Sequence, residues 1–83
     1  MTPQTFTISN ITPSQIAGLE ADLAKDGAFL AATGPNQMHI TGHGIVANAE
    51  YDPIALTLTV TVFDKPFIIS MGRIESMLKA ALG

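Results

Sequence analysis

The stretch "LTLTVTVF", Leu56 to Phe63, constrains the fold more than any other part of the chain. Leu56, Leu58, Val60 and Val62 alternate with Thr57, Thr59 and Thr61. Successive side chains of a strand point to opposite faces, so this period of two gives one apolar face and one threonine-lined face. A helix would scatter the same leucines and valines around its cylinder, and β-branched residues suit a pleated surface. The eight residues carry no charge and no proline. At a sheet edge such a strand invites pairing with another chain. It is therefore expected in the middle of a sheet or in an interface between chains.

Other segments repeat the alternation. "QTFTIS" sets Phe6 and Ile8 against Thr5 and Thr7, which predicts a short first strand. "AFLAAT" is a further strand, closed by the turn signal "GPN". "QMHIT" sets Met38 and Ile40 against His39 and Thr41. Beyond Gly42 and Gly44 the apolar set becomes Ile45, Ala47, Ala49 and Tyr51, opposite Asn48, Glu50 and Asp52. The apolar parity has passed from even to odd numbers. Only an inserted residue or a turn can do that, so Gly42–Gly44 is a bulge or a hairpin turn. "YDPIA" is read as another hairpin connection, with Pro53 at the first central position.

Two segments have helical spacing. Thr12 is a suitable N-cap, and Pro13 a suitable first residue because its missing N–H is not needed there. Ile16, Leu19 and Leu23 follow at i, i+3 and i+7 with Ala24 beside them, and Gly27 supplies a left-handed stop. Gly18 weakens this helix, which is explained if the helix packs closely on a sheet there. Near the C-terminus, Ile74, Met77, Leu78, Ala81 and Leu82 form one apolar face. Ser70 can cap that helix, and Glu75 can pair with Lys79 at i, i+4. The order β-α-β-β-β-β-α with single-striped helices predicts an α+β two-layer sandwich. A curved, mainly antiparallel sheet would carry both amphipathic helices on one face, in a single domain spanning residues 1–83.

The order resembles that of small bacterial proteins of the polyhydroxyalkanoate granule-associated type. The likeness rests on the glycine-punctuated strand "GHGIVANAEYD", on "TLTVTVFDKPF" and on the closing "IESMLKAAL". It implies a short strand, an amphipathic helix, a curved antiparallel sheet and a C-terminal amphipathic helix, with no catalytic residue. The arginines and strong positive charge of many such proteins have no counterpart here.

Composition narrows the function. A chain of 83 residues buries only about 60–65% of its unfolded surface. With no cysteine, neither a disulfide nor a thiolate metal site can assist. Charged residues make up 13% of the chain. Soluble domains average about 25%, so some surface is expected to be covered by another chain or an apolar partner. The net charge is −3, and Lys25, Lys65, Arg73 and Lys79 are dispersed, which argues against nucleic-acid binding and against a basic membrane-surface helix. No charged residue occurs from Gly27 to Ala49, yet Pro35, Asn36, Gln37 and two histidines exclude a membrane span there. "MTPQTFTISN" has neither a basic region nor an apolar run, so a cytoplasmic location is expected.

The chemistry-bearing candidates are few. His39 and His43 are four residues apart in "MHITGHG". That spacing binds metal on a helix, where i and i+4 share a face. On a strand the two rings stand roughly 13 Å apart at a rise of about 3.3 Å per residue, too far for one ion. No third ligand follows at a recognisable spacing, so no metal and no cofactor is expected. "GHG" lacks the lysine and the following helix of a phosphate loop, and no G-x-S-x-G elbow is present. Glu20 and Asp22 read as solvated charge, and Tyr51 as core-edge packing with its hydroxyl in water. Small Ala47 and Ala49 beneath Leu56 and Leu58 leave ligand space or let a helix sit close.

What remains is the polar sheet face: His39, Thr41, Asn48, Glu50, Thr57, Thr59 and Thr61, bordered by Phe63, with His43 nearby. The leading expectation is a non-enzymatic association domain that forms a homodimer through its sheet. A module binding a small ligand or a polymer surface is the alternative. A third reading is an enzyme using His39, His43 and Glu50 as acid and base groups.

Overall fold

The structure, a computed structural model, describes residues 3–83. Its elements are β1 (Gln4–Ile8), α1 (Pro13–Lys25), β2 (Phe29–Gly34), β3 (Gln37–Gly42), β4 (Ile45–Asp52), β5 (Thr57–Asp64) and α2 (Met71–Leu82). The five strands form one sheet in the order β1-β5-β4-β3-β2, and every neighbouring pair is antiparallel. This is the expected α+β fold. Register shifts between Ala32 and Gly34 and between Val46 and Ala47 bend the sheet, as bulges do. The threonine-rich strand β5 is paired on both sides, with β1 and with β4. Its backbone edge is thus unavailable to another chain.

Turn chemistry sets the strand order on one side of the sheet. Gly34 pairs with Gln37 across Pro35-Asn36, and Asn36 takes φ 60°. Proline first and a left-handed residue second suit a type II turn. Gly42 pairs with Ile45 across His43-Gly44, whose φ values are 54° and 78°. Two positive φ values mark the type I′ turn that tight hairpins use. The parity change therefore comes from a hairpin turn. The β4–β5 link is longer: Asp52 Oδ1 accepts from the N–H groups of Ile54 and Ala55, and Leu56 closes the turn at φ 57°. Leu56 belongs to this turn and not to the strand, because the chain must pass through the left-handed region before it can extend again.

Strands β1 and β2 lie on opposite edges yet run in the same direction, so α1 must cross the whole sheet between them. Its 13 residues span about 20 Å, matching the roughly 19 Å between the outer strands. A full capping box starts it. Thr12 Oγ1 accepts from the Gln15 N–H, and Gln15 Oε1 accepts from the Thr12 N–H at 2.8 Å. Gln15 Nε2 also donates to the Leu82 carbonyl at 3.2 Å, which ties the start of α1 to the end of α2. In α2, Ser70 caps through the Arg73 N–H, and Lys79 meets Glu75 at 2.9 Å.

Both helices cover one face of the sheet. Ile8, Met38, Ile40, Ile45, Ala47, Ala49, Tyr51, Leu58, Val60 and Val62 meet Leu19, Leu23, Ile74, Leu78, Ala81 and Leu82 in a single buried cluster. Four local expectations are corrected. Ala24 and Met77 are exposed, not part of the helices' buried faces. Gly18 is no close-packing site, since a Cβ there would meet only Asp22 Oδ2, at 4.0 Å. Tyr51 is 4% exposed, and its hydroxyl donates to the Ile11 carbonyl at 2.6 Å instead of to water. That bond, together with Ile11 N–H to Leu56 O at 2.9 Å, pins the loop before α1 onto the β4–β5 hairpin.

Candidate functional site

Register places the remaining polar residues of the strands on the outer face in three transverse rows. One row is Thr7, Thr59, Glu50 and Gln37. The next is Thr5, Thr61, Asn48, His39 and Ala31, and it crosses all five strands. The third holds Asp64, Val46, Thr41 and Phe29, with Phe63 as the extra residue of the register shift beside Asp64. Thr57 and Asp52 lie opposite each other at the margin, where Asp52 is held in its turn. Among these rows only Glu50 and Asp64 carry a fixed charge, and both are negative.

Cross-strand hydrogen bonds stiffen the middle of the face. Thr5 and Thr61 hydroxyls are 3.2 Å apart, and those of Thr7 and Thr59 are 3.4 Å apart. His39 Nδ1 donates to Asn48 Oδ1 at 2.6 Å. Such pairs are the unit of sheet stabilisation, and they also consume polar capacity that would otherwise hold water. The third row is different in kind. Phe29 is 72% exposed and Phe63 42%. Phe67 and Ile68, in the loop after β5, are 91% and 80% exposed. Three of the four phenylalanines in the chain therefore face solvent. That loop is not slack: Lys65 Nζ donates to Ile69 O at 2.7 Å, and Ile69 N–H to Pro66 O at 3.0 Å.

A shallow hollow of ≈ 300 Å³ lies over the first two rows, between Thr33 and Phe63, with Gln37, Asn48, Glu50, Thr59 and Thr61 in its lining. Neither histidine is part of it. His43 sits instead at the β3–β4 turn, where Nε2 donates to the Asp26 carbonyl at 2.5 Å and latches the end of α1. It borders a slot of ≈ 40 Å³ among Leu23, Ile40, Ala47, Ile74 and Leu78, which contains no carboxylate. Water occupies about 30 Å³ in the liquid, so Ala47 leaves little room for a ligand on the helix side. Ala47 and Ala49 are 2% and 3% exposed beneath the helices.

The sheet thus brings together His39, Thr41, Asn48, Glu50, Thr57, Thr59, Thr61 and Phe63, and it separates His43 from them. The acid–base grouping of His39, His43 and Glu50 is not assembled in either hollow. Among the described residues no three His, Asp or Glu side chains stand close enough to share a metal ion. Added zinc or nickel should therefore leave the melting temperature unchanged, since a ligand of the folded state alone raises it by mass action. A rise in differential scanning fluorimetry that disappears in both His39→Ala and His43→Ala would contradict this. Sequence pattern missed Phe29, because "AFLAAT" does not alternate and gave no facing. It also missed Thr5, Thr7, Thr33 and Gln37, whose membership depends on strand order.

No helix among the described residues is long and apolar enough to cross a membrane. No protein-family model, curated protein or solved structure matches this chain.

Proposed function

We propose that this chain is a cytoplasmic, non-enzymatic association module, and that two copies meet through the outer faces of their sheets. The observation that carries the reading is the outer face itself: hydrogen-bonded threonine and amide rows beside a row of Val46, Phe29 and Phe63, with Glu50 inside it and Asp64 and Asp52 at its margins as the fixed charges. Depletion of charge with exposed aromatics is what distinguishes an interface core from ordinary surface. The thirteen positions of the three rows give a flat area of about 420 Å², from strand spacings of about 4.8 Å and row spacings of about 6.7 Å. Side-chain relief adds to this, and a stable complex covers ~800 Å² per partner. Dispersed cations agree with a protein partner over nucleic acid. Lys25 and Lys79 each face a carboxylate, and Lys65 is tied to its own loop.

Thr59 is close to the middle of the face. Thr59→Lys should convert a micromolar dimer to monomer, because its long side chain would hold the two faces apart and its ammonium, opposite Glu50, would have to leave water together with that carboxylate. Sedimentation of both proteins across dilution measures this, and a wild type that stays monomeric at high micromolar concentration ends the reading. The ≈ 300 Å³ hollow favours a second reading in that event, a small-ligand or polymer-surface module on the same face, to which the resemblance to granule-associated proteins also points.

A further inference from the structure

Strand β2 is an edge of the sheet, bonded only to β3. In an antiparallel pair alternate backbone groups point away from the neighbour, so β2 presents a row of free N–H and C=O groups. Natural edges are blunted by charge, by proline inside the strand, by bulges or by brevity. Strand β2 is six residues long, "FLAATG", and has neither charge nor internal proline; its one irregularity, at Thr33, lies next to its C-terminal end and leaves Phe29 to Ala32 in regular register. Phe29, Ala31, Ala32 and Thr33 are all exposed. On the helix side an open hollow of ≈ 300 Å³ runs along it, with Ile16, Ala17, Leu30 and Ala32 in its wall.

We infer that β2 pairs antiparallel with β2 of a second copy, about a two-fold axis perpendicular to the sheet, giving a continuous ten-stranded sheet. This surface is distinct from the outer face proposed above. Facing restricts the register. Directly opposed residues must lie on the same side of the sheet, so an outer residue can only oppose an outer one. Centring the axis on Ala31 meets this condition and sets Phe29 against Thr33 and Leu30 against Ala32. Every large side chain then faces a small one. The half-buried Leu30 gains cover, and each α1 closes the hollow beside the other copy's β2. The strand is self-complementary about the axis, as an isologous contact requires.

The absence of cysteine makes a clean test. Residues opposed across an antiparallel pair have Cα atoms about 4.5–5.5 Å apart, within the range that a disulfide spans. Ala31→Cys should form a disulfide-linked dimer under mild oxidation roughly tenfold or more faster than Ser14→Cys, an exposed site on α1, because pairing raises the effective concentration of the thiol. The bond should form equally in an Ala31→Cys/Thr59→Lys double variant, in which the outer-face contact is blocked. Wild-type β2 amides should also exchange hydrogen more slowly at high protein concentration than at low, and Ala32→Lys should abolish that difference. Equal cross-linking rates for the two cysteine variants, with concentration-independent exchange in β2, overturn the inference. So does protection of β2 that arises only when extended peptides of another protein are added. A Thr59→Lys variant that loses association while Ala31→Cys still cross-links tells against neither.

Discussion

Leu58→Ala should cost about 2–5 kcal/mol, as truncations of buried leucine do. The upper half of that span is expected, for two reasons. Leu58 is 0% exposed, so its environment is already as dry as the protein provides. It also sits on β5, which is bonded on both sides, so neither the strand nor its neighbours can shift freely into the vacancy. Domains hold roughly 0.05–0.15 kcal/mol per residue, or about 4–12 kcal/mol for a chain of this length. The substitution removes a large share of that. A domain this small loses about 4–8 °C per kcal/mol, so the melting temperature should fall by at least ~15 °C in calorimetry. Thr59→Ala is the companion measurement. It deletes a half-buried hydroxyl with one long contact to Thr7, and in an isolated monomer it should cost under ~1 kcal/mol. Equal losses at 58 and 59 would mean that the strand is dry on both faces, as in the proposed dimer. Measuring Thr59→Ala in the Thr59-independent monomer range, by dilution, separates the two situations.

That contrast between 58 and 59 is legible in the sequence, because period-two alternation reports facing directly. So are the helix α1 with its cap at Thr12, and the place where apolar parity reverses. Each depends on residues adjacent in the chain. Strand order is not legible. It fixes which outward residues share a row, and so Thr5 and Thr7 joined Thr61 and Thr59 only once β1 was placed beside β5. Leu56 kept the alternation and still left the strand, because the four-residue turn from Asp52 required a left-handed residue where the pattern happened to place a leucine. Tyr51 carried the right facing but the wrong end: its acceptor, Ile11 O, lies forty residues away in sequence. The two histidines were separable by spacing alone, yet the partner of His43 was not, since Asp26 comes near it only when α1 has crossed the sheet.

Gly42→Ala should be nearly as damaging as Leu58→Ala, for a reason unrelated to hydrophobic burial. Gly42 has φ 149°, where L side chains are strained. A Cβ there would stand 2.8 Å from Ala28 Cα, 3.0 Å from Ala28 Cβ and 3.3 Å from Gly27 O. The closest of these atoms is backbone, at the entry to β2, so no rotamer change relieves it. Backbone strain of about 1–3 kcal/mol and overpacking of about 1–3 kcal/mol both apply, for a total of about 2–6 kcal/mol. The approach that the glycine permits is also what brings the β3–β4 turn against the end of α1, where His43 bonds Asp26 O. Two further variants make the explanation specific. Ala28→Gly removes the 3.0 Å contact but leaves the 2.8 Å one, so the double variant Gly42→Ala/Ala28→Gly should recover little of the loss. Gly72→Ala, where a Cβ would meet only Ser70 Oγ at 3.9 Å in the first turn of α2, should be tolerated. Urea unfolding of all three decides the matter. Full recovery in the double variant would place the cost in a side-chain clash, whereas a neutral Gly42→Ala would mean that the turn and the α1–β2 junction separate without penalty. The two glycines of "TGHG" would then matter only for the turn, and not for holding the hairpin against the helix.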